Sequence, residues 1–138
     1  MNNPAFDADA RAAFTAIYPE IAGRIRHNLV GHPLFELDEI VRLAQRIRLA
    51  DVEQNLADLP IGVDPADLAG NGLSVTETIR SIEVCGSWMV LKFVEQDPCY
   101  RALLDEVLDE LVPVVAPATG PMLKREAFIF VSSPGAVT

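Results

Sequence analysis

The C-terminal stretch constrains this chain most. Ala127-Phe128-Ile129-Phe130-Val131 is an unbroken apolar run, and Ser132-Ser133-Pro134-Gly135 turns it before Ala136-Val137-Thr138. A short apolar run bounded by a turn signal reads as a strand covered on both faces. It needs a sheet beside it and layers over it, and a Ser-Ser-Pro-Gly loop leads on to a further element. The stretch therefore reads as the front part of a larger domain, cut just before its chemistry begins. One unit spans 1–138, with 1–6 as a disordered tail.

The rest of the chain alternates. Asp7 to Tyr18 is Ala-rich with acid in its first turn, which predicts a helix ended by Pro19. Ile21 to Val30 alternates loosely and predicts an edge strand. After the turn Gly31-His32-Pro33, Leu37, Ile40, Val41, Ala44 and Ile47 recur at helical spacing over 36–48. A short edge strand is expected over Asp51–Ala57, then loop over 58–73 with one helical turn at Pro65–Leu68. Ser74-Val75-Thr76-Glu77 has the spacing of a capping box, and Gly86 suits a left-handed close to the helix that follows. Trp88 to Val94 reads as a central strand. Asp97-Pro98 opens a helix that buries Leu103, Leu104, Val107, Leu108 and Leu111 and exposes Asp105, Glu106, Asp109 and Glu110. Residues 113–121, with three prolines, read as a linking loop, and the last strand begins near Arg125. Alternation alone suggests α/β, but no Gly-rich phosphate loop follows any strand.

Composition narrows the function classes. A formal net charge of -9, with the arginines scattered, argues against direct contact with nucleic acid or with an anionic membrane surface. No basic helix-turn-helix is present, which disfavours a DNA-binding regulator. Cys85 and Cys99 are too few for a disulfide framework and read as reduced, half-buried thiols. No signal peptide and no membrane-spanning run is visible, so the expected compartment is the cytoplasm.

Candidate chemistry is thin. His27 and His32 are the only histidines, and five-residue spacing does not set them on one helical face. A metal site there is outweighed by ordinary turn histidines, because such sites need three or four convergent ligands. Ser132 and Ser133 lie outside any Gly-x-Ser-x-Gly elbow and read as loop hydroxyls bonded to backbone. The acidic residues 105–110 read as a solvated helix face. Trp88, Phe93 and Tyr100 read as core aromatics rather than a pocket lining. No catalytic or metal-ligating residue is assigned.

Three segments carry a family likeness: Gly86-Ser87-Trp88-Met89-Val90-Leu91-Lys92, Asp97-Pro98-x-Tyr100, and Phe128 through Thr138. Together they resemble the bacterial cupin-like proteins of the jumonji-C type, often labelled putative transcriptional regulators and similar to Fe(II)/2-oxoglutarate-dependent dioxygenases. The likeness covers the chain from about His32 onward. It implies an α+β fold: helices packed on a small mixed sheet, forming the N-terminal part of a cupin-like double-stranded β-helix. In that family a Val-Thr-Pro segment runs into His-x-Asp, which with a later histidine holds iron and leaves room for 2-oxoglutarate and dioxygen. Only Thr138 falls on such a position, where the resemblance implies a hydrogen bond to 2-oxoglutarate. The implied role is a scaffold lacking the triad and inactive by itself, with no cofactor of its own. The implied partner is the remainder of the barrel or a second copy of the chain. The alternative is a complete, non-catalytic interaction or dimerisation module, motivated by the apolar final strand.

Overall fold

The computed structural model describes residues 3–56 and 72–135. The described elements run α1 (Ala8–Ile17), α2 (Leu37–Arg46), β1 (Val52–Leu56), α3 (Val75–Arg80), β2 (Ser87–Leu91), α4 (Pro98–Asp109), α5 (Val112–Thr119) and β3 (Ile129–Ser132). The fold is α+β. The strands form one sheet in the order β1-β2-β3. Met89 sits opposite Gln54 on one side and Val131 on the other, and both pairings are antiparallel. Among the described residues the sheet is therefore antiparallel throughout, where the resemblance implied a mixed one.

One face of the sheet makes the main core. Met89 and Leu91 of β2 and Val131 of β3 point into a cluster with Ile40, Val41 and Leu43 of α2, Ile79 of α3, and Ile47, Ile82, Val94 and Tyr100. The helical spacing of 40, 43 and 47 carries one stripe of α2 onto this face, while Arg42 and Gln45 stay exposed. α3 starts as its sequence predicts: the Ser74 hydroxyl accepts from the Glu77 amide, and the Glu77 carboxylate accepts from the Ser74 amide, both at 3.1 Å. Asp97 caps α4 by accepting from the amides of Cys99 and Tyr100. Gly86 takes a φ of +59°, in the left-handed region, at the turn into β2.

Several expectations are corrected. Ile21–Val30 is not a strand. Arg24, Arg26 and His27 are exposed, and only Ile25 and Leu29 turn inward, against a second small cluster of Ala5, Phe6 and Ala10. Residues 3–6 are not a disordered tail, because Ala5 and Phe6 are buried in that cluster. The expected loop at 113–121 is mostly helix α5. Pro113 occupies its first turn, where no N–H is needed, and Pro117 faces solvent. The central strand ends at Leu91, because Phe93 takes a left-handed φ of 54° and starts a short 3-10 turn over Val94–Gln96. In α4 only Tyr100 is fully buried; Leu103, Leu104, Val107 and Leu108 are half-buried. The helical turn expected at Pro65–Leu68 lies outside the described residues.

Candidate functional site

The C-terminal strand β3 occupies the edge of the sheet. The Ser133 amide donates to the Ser87 carbonyl at 2.8 Å, and the Val94 amide donates to the Ala127 carbonyl at 3.0 Å. Ile129 and Val131 sit opposite Leu91 and Met89. In an antiparallel ladder this turns the backbone groups of the odd-numbered residues toward β2. Those of Phe128, Phe130 and Ser132 face outward, and no described strand pairs with them. The side chain of Phe130 lies on the face opposite the core and is 59% exposed, and Phe128, just before β3, is 45% exposed. The expectation of a strand covered on both faces is thus corrected among the described residues. Val131 is buried, but the Phe face is open. Phe93 meets Phe128 edge to face, with ring centroids 5.1 Å apart.

Where β3 ends, Ser133 ties three segments together. Its buried hydroxyl donates to the Ile82 carbonyl and accepts from the Ser87 amide at 3.0 Å. Cys85 lies 3.9 Å away. Burial pushes the Cys85 thiol up, but the neighbouring Ser87, Ser81 and Ser133 outweigh it and hold the thiol below its usual range. Ser133 is thus a backbone-bonding loop hydroxyl, as its sequence context suggests, rather than a nucleophile. Ser133→Ala removes the acceptor of a buried amide. An expected loss of about 1–3 kcal/mol of stability follows, measured by urea unfolding. A loss below the error of the fit would show that the hydroxyl does not hold this corner.

The other candidates separate. His27 Nδ1 accepts from the Leu29 amide and His32 Nδ1 from the Leu34 amide, each at 3.1 Å, so each ring serves its own turn. Among the described residues no group of three or more His, Cys, Asp or Glu is placed to hold a metal. Among the described residues, His27 and His32 therefore do not form part of an iron triad. Thr138, the residue matched to 2-oxoglutarate binding, lies outside the described residues, as do Ala136 and Val137. Cys85 is half-buried and Cys99 exposed, both as free thiols.

The acidic face of α4 is not simply solvated. Arg125 bridges Asp105 at 3.0 Å and Asp109 at 2.8 Å, which fastens the segment leading to β3 onto the helix. The guanidinium holds the Asp105 carboxyl below its ordinary range. Glu110 instead grips the N-terminal segment through two backbone amides. Nothing local in the sequence distinguishes it from its acidic neighbours, because its partners lie a hundred residues away. Of the aromatics, Tyr100 is core: it donates to the Leu34 carbonyl at 2.7 Å, and burial, with Glu39 nearby, pushes its phenol up to about 12. Tyr100 also lines, with Leu29, Phe35, Leu104, Val107 and Phe128, an apolar cavity of about 180 Å³ beside the start of β3.

No protein-family model, curated protein or solved structure matches this chain. No helix among the described residues is long and apolar enough to cross a membrane.

Proposed function

We propose that this chain is a scaffold: a helix-backed sheet whose β3 edge is continued by the strands of a cupin-like domain of the Fe(II)/2-oxoglutarate oxygenase type. The observation that carries this reading is the outer edge of β3, which no described strand pairs, with Phe128 and Phe130 exposed beside it. A strand edge without a described partner, flanked by exposed apolar side chains, is built to be covered. The likeness to that family is carried by Gly86–Lys92, Asp97–Tyr100 and Phe128–Thr138. On this reading Arg125 and Ser133 position β3, and Thr138 stands at the border of the cofactor site, with iron ligands supplied by residues outside this sequence. The compartment is cytoplasmic, and neither nucleic acid nor membrane is a direct partner.

A second reading, a non-catalytic dimerisation module, draws on the same open edge, with a second copy covering it. Reading the gene past the Thr138 codon, followed by calorimetry, separates the two. The scaffold reading expects Pro-x-His-x-Asp next, with Fe(II) and 2-oxoglutarate bound by the longer protein and by the 138-residue chain not at all. A frame without His-x-Asp, or a longer protein that binds neither ligand, overturns it. Sedimentation of the present chain as a monomer at every concentration overturns the module.

A further inference from the structure

Residues 3–6 lie in a groove that the rest of the chain provides. Ala5 and Phe6 are 6% and 8% exposed, and with Ala10 they pack against Ile25, Leu29, Val107 and Leu111. Glu110 accepts from two consecutive backbone amides: Oε2 from Ala5 at 2.8 Å and Oε1 from Phe6 at 3.0 Å. From the other side, the Asn28 amide donates to the Ala5 carbonyl at 2.8 Å, and Asn28 Nδ2 donates to the Pro4 carbonyl at 3.1 Å. The segment is thus held by both backbone edges and by buried side chains, the way a groove holds a peptide ligand. Its apolar cluster shares no buried residue with the cluster under the sheet. A cavity of about 320 Å³ opens beside it, lined by Asn3, Asn28, His32, Glu106 and Glu110 among others.

We propose that the groove between α4 and residues 25–29 is a peptide-binding groove. The chain's own Pro4–Phe6 segment fills it, and the same segment of a second copy enters when the first leaves. A second copy fits because every contact made within the chain is available unchanged between copies, which makes such an exchange inexpensive. The link between this segment and α1 is Asp7, which is exposed. This inference does not rest on the cupin-like reading, and its failure would leave that reading untouched.

The test uses a fluorescent peptide of residues 1–8 and the full chain, read by anisotropy. Phe6→Ala loosens the chain's own segment and leaves the groove intact. That chain is expected to bind the peptide about tenfold or more tighter than wild type, because more of its grooves stand open. Adding Glu110→Gln should reverse the gain by about tenfold, because a charged acceptor of two amides is lost. Hydrogen exchange of the Leu91 amide in β2 should be the same in all three chains. No binding by the Phe6→Ala chain, or equal binding by the doubly substituted one, overturns the proposal. So does loss of Leu91 protection in Phe6→Ala, since the segment would then be inseparable from the core.

Discussion

Leu43→Ala is expected to cost about 2–5 kcal/mol of folding stability. Leu43 is 0% exposed and sits at the centre of the α2 stripe that covers Met89, Leu91 and Val131. Truncation removes the transfer free energy of its lost carbons and leaves a cavity among side chains that are themselves fully enclosed. Ile79, Met89 and Leu91 are likewise 0% exposed, so little nearby can move in to fill the hole. Domains are stable by only about 5–15 kcal/mol in total, so the loss is a large share. Urea unfolding measures it as a lower midpoint at unchanged slope. A cost below about 1 kcal/mol would mean that α2 does not pack on the sheet as described.

Asp97→Ala is expected to rank next, at about 2–4 kcal/mol, combining a lost helix cap with a lost charged hydrogen bond. One oxygen of Asp97 caps α4 through Cys99 and Tyr100, and the other accepts from Arg46 Nε at 2.8 Å. That second contact joins the end of α2 to the start of α4. Arg46 is half-exposed, so water screens part of its contribution, and the cap supplies the steadier share. Asp97→Asn separates the two by keeping a capping oxygen and losing the charge, and it should cost roughly half as much. The same residue sets a pH dependence. Burial pushes the Asp97 carboxyl up, but Arg46 and the amides of Tyr100 and Cys99 outweigh it and hold it below the ordinary range. A folded pKa below the unfolded value, about 3.9, stabilises the protein fully above that value, and the stabilisation is lost as pH falls through the folded pKa. Unfolding curves between about pH 5 and pH 2 should therefore show a shallower acid slope for Asp97→Ala than for wild type. Equal slopes would remove Asp97 as a contributor. Asp51 and Asp105 are also held low, by Gln96 with Arg48 and by Arg125, and contribute to the slope that remains.

Local signals in the sequence located most elements because local chemistry decides them. Asp7, Ser74 and Asp97 cap the helices they precede, and Ile40, Val41 and Ile47 of the expected stripe turn α2 onto the core, where Leu43, outside that stripe, joins them while Leu37 stays exposed. The failures share a cause: tertiary context overrode a local pattern. Ile21–Val30 has strand-like alternation, but Ile25 and Leu29 pack against α4 and against Ala5 and Phe6 instead of pairing with a strand. The prolines of 113–121 look like loop signals, yet Pro113 lies in a helical first turn, where its missing donor costs nothing. The edge position of β3 among the described residues was legible only in the alternative reading, which takes the final strand as unpaired. A run of apolar residues states that both faces tolerate burial, and strand order is what decides whether both are buried. Glu110 illustrates the limit for the groove. Its role depends on Ala5 and Phe6, and no spacing rule reaches that far.

The strand order also bears on how the protein folds. β1, β2 and β3 are neighbours in the sheet, yet none is joined to the next by a tight hairpin; α3 precedes β2, and α4 and α5 precede β3. Each pairing closes a long stretch of chain before it gains a hydrogen bond, and that closure entropy comes due first. A local turn cannot nucleate such a sheet. The capped helices, which form from neighbouring residues, are positioned to form early and shorten the effective loops, so the rate-limiting step falls on docking β2 between its two partners.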